Sequence, residues 1–195
     1  MTDPVRRHGT RQEFEQFVAD RAGDLLRTAY LVAWDLPAAE DLVQECLLRV
    51  ARRWPRVRCM EHPAAYARRV LVNLALDGAK RRARHRSELA LSDRTALADR
   101  HDEAAARAFG AVDATAELVG ALGALSPRQR ATLVLRFVED LPEAQVAEVM
   151  GCSVGTVKST TWRALERLRQ ATPDPEDGRP SPVATGSKHE GSIEP

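Results

Sequence analysis

Apolar residues recur at helical spacing along most of the chain. Between residues 11 and 33 they fall three and four positions apart on one stripe, which contains Phe14, Phe17, Val18, Leu25, Ala29 and Val32. Asp35, Leu36 and Pro37 interrupt this stripe and predict a corner, with Pro37 in the first turn of the next helix. No Val/Ile/Thr-rich run alternates as a strand would. The pattern predicts an all-α protein.

The second predicted helix, from Pro37 to Trp54, has a broad apolar face. That face consists of Leu42, Val43, Cys46, Leu47, Val50 and Trp54. The opposite side carries Glu40, Asp41, Gln44, Glu45 and Arg49. Periodicity alone explains these polar residues as the solvated side of an amphipathic helix.

A third helix is predicted after a proline-bounded loop, Pro55 to Pro63. It begins at Ala64, and its apolar positions are Tyr66, Val70, Leu71 and Leu74. It ends in a basic run, and residues 51–86 carry 11 basic and 2 acidic groups in a chain whose net charge is only +1.

Arg69, Asn73, Asp77 and Lys80 share a stripe of this helix. Lys and Arg suit phosphates, and Asn can contact a base edge. The segment therefore predicts a nucleic-acid surface, with a solvated cationic face as the alternative.

Residues 87–113 show no persistent stripe and are predicted to form a flexible linker. Helical spacing returns at residue 114, with Leu118, Ala121, Leu122 and Leu125. Ser126, Pro127 and Gln129 then have the pattern of a capping box that opens a new helix. We expect this helix to bury Leu133, Val134, Phe137 and Val138, and to end near Glu139 and Asp140.

Residues 143–169 have the pattern of a helix-turn-helix. The first helix carries Val146, Ala147 and Met150 at helical spacing, and the second carries Val157, Ala164, Leu165 and Leu168. Gly151 can end the first helix with a positive φ, and Ser153 can cap the second. The polar side of the second helix offers Lys158, Ser159, Trp162, Arg163 and Arg167. This arrangement is typical of a DNA-binding unit whose second helix enters the major groove.

Composition excludes several other classes of protein. The N-terminus lacks the apolar segment of a signal peptide, and no apolar run is long enough for a membrane span, so we expect a cytoplasmic protein. Three scattered cysteines agree with a reducing compartment. Cys59 and His62 lack a matching pair of zinc ligands, so we expect a buried thiol and a loop histidine, with no metal site. No Gly-rich phosphate loop or nucleophile motif indicates an enzyme, and no cofactor is expected.

Three stretches in this order carry a resemblance to a known family: AEDLVQECLLRVARRW, YARRVLVNLALDGAKRR and LSPRQRATLVLRFVEDLPEAQVAEVMGCSVGTVKS. The chain resembles bacterial RNA polymerase sigma factors of the extracytoplasmic-function (ECF) class, and in particular the SigE-like branch. The resemblance implies a region 2 helical bundle at residues 11–86 and a region 4 helix-turn-helix at 114–170. Residues 87–113 would form the linker between them. The resemblance does not extend to residues 171–195, which are rich in proline, lack an apolar period and are predicted to be a disordered tail.

The resemblance also implies a role for each surface. The second helix would bind the clamp helices of the polymerase β′ subunit through Asp41, Leu42, Gln44 and Glu45. The minus-ten promoter element would be opened and bound by Tyr66, Arg69, Asn73, Lys80 and Arg81. The minus-thirty-five element would be bound by Thr156, Lys158, Ser159, Trp162, Arg163 and Arg167. The polymerase β flap and an anti-sigma factor are further implied partners, with no small-molecule substrate and no membrane insertion.

Two features separate this chain from the family's usual pattern. Pro142 stands where relatives commonly have a capping Ser or Thr, and Thr160–Thr161 lies in the recognition helix, so the base preference of relatives cannot be transferred. The alternative function is a one-component helix-turn-helix regulator, which would act as a dimer on a palindromic operator without polymerase.

Overall fold

The computed structural model describes residues 4–89 and 122–171, together with the side chains of 10–85 and 122–171. Its first module consists of α1 (Pro4–Ala33), α2 (Leu36–Val57) and α3 (Pro63–Leu89). The second module consists of α4 (Pro127–Leu133), a π-helical turn (Val134–Val138), α5 (Glu143–Met150) and α6 (Val154–Ala171). The described residues contain helices and turns without strands, so the all-α prediction is confirmed.

The corner between α1 and α2 forms at the predicted position. Trp34 ends α1 in the left-handed region, at φ 60°, and its amide donates to the Tyr30 carbonyl at 2.7 Å. Asp35 then caps α2 by accepting from the Ala38 amide at 2.7 Å. The predicted stripe of α1 faces inward, with Leu25, Ala29 and Val32 buried.

Helix α2 continues past the predicted boundary at Pro55. Proline at this position removes only one backbone donor from the last turn, and the helix runs on to Val57, which is buried. The loop therefore spans only residues 58–62. Cys59 in this loop is exposed, so its predicted burial is wrong. The apolar face of α2 is held to α1 by Trp54, whose ring centroid lies 5.2 Å from Phe14 and 5.0 Å from Phe17.

Helix α3 is buried more widely than its predicted stripe indicates. Leu71 and Leu74 are buried as expected, while Tyr66 and Val70 are half-buried. Val72, Ala75 and Leu76 are buried as well. Helix α3 runs to Leu89, and residues 90–113 of the predicted linker lie outside the described part of the chain.

The capping box at the start of α4 is confirmed. The Gln129 amide donates to Ser126 Oγ at 3.3 Å, and the Ser126 amide donates to Gln129 Oε1 at 3.0 Å. Leu125 is buried just before it, whereas Leu118 and Ala121 of the preceding predicted helix lie outside the described residues.

The residues that follow Val134 do not continue the predicted α-helical stripe. Leu133 and Val134 are buried, but Phe137 is 59% exposed and Val138 is 41% exposed, so their predicted burial is wrong. The cause is the π-helical turn, in which the Glu139 amide donates to the Val134 carbonyl at 3.0 Å. An i→i+5 bond adds one residue to the turn and rotates the following side chains away from the α-helical stripe.

The corner between α5 and α6 matches the helix-turn-helix prediction. Gly151 ends α5 at φ 60°, ψ 44°, and the Thr156 amide donates to Ser153 Oγ at 3.1 Å. Val146, Ala147 and Met150 are buried in one cluster with Val157, whereas Ala164 is buried in a second cluster with Leu125 and Leu133. Pro142 begins α5 without a side-chain cap, as expected from its chemistry.

The two modules share one apolar core in the described structure. Helix α4 packs on α1 and α3, and α5 packs on α3. Among the described helices, none combines the length and the apolar character that a membrane crossing needs. Residues 172–195, predicted to be a disordered tail, lie outside the described residues.

Candidate nucleic-acid and partner-binding surfaces

The outer face of α2 combines acidic, polar and apolar side chains. Asp41 and Gln44 are exposed, whereas Glu45 and Leu42 are half-buried. Glu45 is held by Arg49 at 2.7 Å, one turn along the helix. Because Leu42 packs against the core, it offers only part of its side chain to a partner.

Leu48 extends this face and was not among the predicted site residues. It is 53% exposed and lies four residues beyond Gln44 and three beyond Glu45, so the three side chains are neighbours on the helix surface. The adjacent apolar pair Leu47–Leu48 was the available clue, because one apolar stripe cannot bury both members equally. A single exposed leucine is common on protein surfaces, so Leu48 adds apolar area to this face without by itself marking a partner site.

The outward face of α3 carries the predicted minus-ten residues. Arg69, Asn73, Lys80 and Arg81 are all exposed, and their spacing places them along one side of the helix. Lys80 lies 3.6 Å from Asp77, an exposed pair that contributes little stability. This side of α3 can therefore contact phosphates without first breaking a strong internal ion pair.

Tyr66 is positioned by an arginine that was not among the predicted site residues. The Tyr66 hydroxyl accepts a hydrogen bond from Arg53 Nη1 at 3.1 Å, which joins the end of α2 to the start of α3. Met60, in the loop between the helices, is 43% exposed. A cation, an aromatic ring and an apolar side chain on the same connection are the groups that bind unstacked bases and their phosphates.

The recognition helix α6 presents most of its predicted residues to solvent. Lys158, Ser159, Arg163 and Arg167 are exposed, and Trp162 is 65% exposed. Thr156 differs, because it is half-buried and its hydroxyl oxygen lies 2.9 Å from Ser153 Oγ in the helix cap. Its first role is therefore to complete the corner.

Lys158 is partly neutralised within its own module. Its Nζ lies 3.7 Å from Glu143 Oε2, which is in the first turn of α5. The lysine is 66% exposed, so it can leave this carboxylate for a phosphate by side-chain rotation.

The three surfaces lie on separate helices, α2, α3 and α6. Helix α5 lies between α3 and α6, packing on both. Over residues 4–89 and 122–171, no cluster of three or more potential metal ligands occurs. Burial raises the pKa of the Cys46 thiol to about 12, and its Sγ donates to the Ala67 carbonyl at 3.3 Å, so this thiol has a packing role.

Comparisons with known proteins agree with this arrangement. The family described as "Sigma-70 region 2" matches residues 17–85, and "Sigma-70, region 4" matches residues 115–168. The RNA polymerase sigma-E factor of Streptomyces avermitilis is 34% identical over 163 residues, which cover 84% of this chain and 87% of that protein. The sigma-E factor of Streptomyces coelicolor is 34% identical over 158 residues, covering 81% of this chain and 85% of the relative.

A solved structure shows a similar fold. The sigma factor RpoE from Bartonella quintana, in complex with the anti-sigma factor NepR, aligns with a TM-score of 0.60 at 24% identity. The alignment covers 82% of this chain and 96% of that one. At this level of identity the likeness concerns the fold alone.

Proposed function

This chain belongs to the extracytoplasmic-function class of the sigma-70 family of RNA polymerase sigma factors, and we propose that it recruits core polymerase to promoters with minus-ten and minus-thirty-five elements. The observation that carries the proposal is the presence, in one chain, of a region 2 module and a region 4 helix-turn-helix with separate exposed surfaces. A one-component regulator would not need a region 2 module. The polymerase performs the chemistry, and this chain selects where it begins.

We assign core binding to the outer face of α2. Asp41, Gln44 and Glu45 supply charge and hydrogen-bonding groups, and the exposed part of Leu42 together with Leu48 supplies apolar area. Interfaces commonly combine an apolar centre with a polar rim. The β′ clamp helices are the partner proposed for this face.

We assign the minus-ten element to α3 and the loop before it. Arg69, Lys80 and Arg81 suit phosphates, and Asn73 suits a base edge. Tyr66, whose hydroxyl is held by Arg53, would stack on a base that leaves the duplex.

We assign the minus-thirty-five element to α6. Lys158, Ser159, Arg163 and Arg167 supply polar contacts, and Trp162 offers an apolar surface of the kind that suits a thymine methyl group. Thr156 would support this helix through its hydrogen bond with Ser153.

The remaining assignments concern the two modules, the β flap, an anti-sigma partner and the location of the protein. Residues 11–86 and 114–170 would act as separate modules, with 87–113 as the linker that lets them separate and 171–195 as a tail. The exposed Phe137 and Val138 are candidates for a contact with the β flap. An anti-sigma factor is a further proposed partner; in the solved complex from Bartonella quintana, a sigma factor of similar fold is bound by NepR. Because its partners are the polymerase and the chromosome, we place the protein in the cytoplasm.

Run-off transcription tests the proposal. Core polymerase with this chain should initiate at promoters selected by the reconstituted holoenzyme, and core polymerase alone should not. Absence of both core binding and initiation would overturn it. Light scattering addresses the alternative, since a regulator of that class predicts a stable dimer with tight DNA binding in the absence of polymerase.

Surface variants test the division between modules. Leu48→Ala, or Asp41→Ala combined with Gln44→Ala, should weaken binding to core polymerase while leaving the unfolding temperature nearly unchanged, because these side chains are exposed or partly exposed. Lys158→Ala is the reciprocal control, which should reduce promoter use and retain core binding. The assignment of the faces is wrong if Lys158→Ala loses core binding, or if the α2 variants bind core polymerase as tightly as the unmodified chain.

A further inference from the structure

Helix α6 carries a strongly cationic polar face. Its charged residues are four basic side chains and one acidic side chain, which give the helix a net charge of +3. All four basic side chains are exposed, and they are Lys158, Arg163, Arg167 and Arg169. Lys158 and Arg169 each lie near a carboxylate. Within residues 10–85 and 122–171, Arg163 and Arg167 have no side-chain hydrogen bond or ion pair.

The ring of Trp162 lies beside these two arginines. Arg163 follows Trp162 directly, and Arg167 lies one helical turn beyond Arg163 on the same row. The tryptophan is 65% exposed, whereas Trp34 and Trp54 are buried. We call Trp162, Arg163 and Arg167 the α6 surface. An exposed aromatic ring bordered by two guanidinium groups suits a ligand that combines an apolar ring with negative charge.

The sequence that follows α6 has this combination of groups. Residues 173–177 read PDPED, and residues 172–195 carry five acidic and two basic groups. Proline-rich segments favour the extended polyproline II conformation and bind exposed aromatic side chains through their proline rings. Carboxylates form charge-assisted hydrogen bonds with arginine. Residues 173–177 are therefore complementary to the α6 surface in both charge and apolar character.

The length of this segment is sufficient to reach the α6 surface. Helix α6 ends at Ala171, nine residues after Trp162, which is roughly 13 Å along the helix axis at about 1.5 Å per residue. A proline-rich chain advances about 3.1 Å per residue, so residues 172–177 can span roughly 19 Å. A chain that turns back after Ala171 can therefore place residues 174–177 beside the two arginines.

We propose that residues 173–177 bind the α6 surface and compete there with the minus-thirty-five element. The inference rests on the proposed function for its biological meaning, whereas the contact itself is a property of the free chain. The carboxylates and the DNA phosphates bind the same arginines, so one ligand excludes the other. The segment after α6 is thus an internal competitor, and duplex DNA displaces it.

The covalent connection sets the strength of this competition. A segment joined to its site by a few residues has an effective concentration on the order of millimolar. Exposed ion pairs are individually weak, so a contact of about millimolar affinity forms in roughly half to three quarters of the molecules. The apparent affinity for DNA falls with the fraction of molecules whose α6 surface is free, which corresponds to a loss of about two- to fourfold.

Acrylamide quenching of tryptophan fluorescence in the free full-length chain tests the contact. Because the other two tryptophans are buried, this neutral quencher reports mainly on Trp162. Glu176→Gln combined with Asp177→Asn should raise the quenching constant about twofold at low salt, because the ring becomes uncovered. High salt should raise the quenching constant of the unmodified chain toward that of the variant, because it screens the ion pairs.

A matched control removes the same charge further along the chain. Glu190→Gln combined with Glu194→Gln also neutralises two carboxylates, but it leaves residues 173–177 intact. Its quenching constant should equal that of the unmodified chain. Equal increases in the two double variants would overturn the assignment of the contact to residues 173–177.

A second double variant tests the α6 side of the contact. Arg163→Gln combined with Arg167→Gln should raise the quenching of Trp162 as much as Glu176→Gln with Asp177→Asn does. Combining all four substitutions should add nothing further, because both pairs remove the same contact. Increases that add in the combined variant would overturn the pairing of these groups.

Binding to a labelled duplex of random sequence measures the competition itself. In fluorescence anisotropy titrations at low salt, Glu176→Gln with Asp177→Asn should bind the duplex about twofold more tightly than the unmodified chain. The control variant with Glu190→Gln and Glu194→Gln should bind as the unmodified chain does. Equal affinities for all three proteins would overturn the competition.

The outcomes separate this inference from the proposed function. Quenching and duplex binding that do not change between the unmodified chain and Glu176→Gln with Asp177→Asn overturn the internal contact, even if the protein supports transcription. Quenching that changes as expected supports the contact even if the protein neither binds core polymerase nor initiates transcription, in which case the proposed function alone is wrong.

Discussion

The pair formed by Lys158 and Glu143 predicts that removing a carboxylate strengthens promoter binding. Lys158 must leave Glu143 to reach a DNA phosphate, and the 3.7 Å separation means that an attraction is lost in doing so. Glu143→Gln removes this competition while preserving the size of the side chain. We expect tighter binding to the minus-thirty-five element.

The magnitude follows from the exposure of the pair. With Lys158 66% exposed and Glu143 34% exposed, solvent screens the attraction, and such pairs contribute about 0.2–1 kcal/mol. Recovering that energy corresponds to an increase in affinity between about 1.5-fold and fivefold. The same substitution should lower the stability of the protein. Glu143 is the acidic residue in the first turn of α5, and its loss should cost about 0.3–1 kcal/mol of helix-dipole interaction.

The assay is fluorescence anisotropy of a labelled promoter titrated with reconstituted holoenzyme at several salt concentrations. Glu148→Gln removes the same charge from an exposed site on α5 and is the control for net charge. In a Lys158→Ala background the gain from Glu143→Gln should disappear. Equal gains from both glutamine variants, or a gain that survives Lys158→Ala, would refute the competition between carboxylate and phosphate.

Three further predictions concern packing, capping and titration. Leu135→Ala should destabilise the protein by about 2–5 kcal/mol, because the side chain is fully buried, whereas Phe137→Ala should cost less than about 0.5 kcal/mol in chemical unfolding. A larger loss of stability in Phe137→Ala than in Leu135→Ala would contradict the burial pattern that the π-helical turn produces. Ser126→Ala should lower the free energy of unfolding by about 1 kcal/mol, because the Gln129 amide loses the Ser126 side chain as its acceptor. Ser126→Thr should retain most of this stability. Burial raises the pKa of Cys46 from 9.0 to about 12, so its contribution to stability is complete below pH 9 and declines as pH rises toward 12. Unfolding temperatures between pH 8 and pH 10 should therefore fall more in the unmodified protein than in Cys46→Ala.

Local patterns were sufficient wherever one turn of backbone decides the structure. The Ser126–Gln129 capping box, the left-handed Gly151 and the Ser153 cap were all predicted from residue type and spacing, and all three are present. Each depends on contacts between residues no more than a few positions apart. These contacts are encoded by the local sequence, so periodicity and capping chemistry are enough to predict them.

The wrong prediction for Phe137 and Val138 shows a feature that local patterns do not predict. An α-helical stripe predicts that Phe137 and Val138 are buried, and no proline or glycine in the segment indicates otherwise. The π-helical turn instead directs Glu139 to Arg68 and Thr28, which are distant in the sequence. A widened turn has little local preference, so the contacts that it permits help to select it.

The candidate surfaces likewise contain residues that local patterns predicted and residues that they did not. Exposure of Lys158, Ser159, Arg163 and Arg167 followed from the polar side of an amphipathic helix. Arg53 and Leu48 were not identified, because one depends on a hydrogen bond between two helices and the other on which of two adjacent leucines the core accepts.

The sequence by itself determined the helices, their caps, the helix-turn-helix and the basic segment at residues 51–86. The resemblance carried by its motifs indicated the family. Only the tertiary structure decided that α3 has two buried faces, that Glu139 and Arg130 join the modules, and that α5 separates α3 from α6. The physical reason is the separation along the sequence of the residues that interact. Helix formation and capping depend on residues a few positions apart, whereas packing between the modules joins residues about a hundred positions apart and depends on shape and charge that no local pattern records.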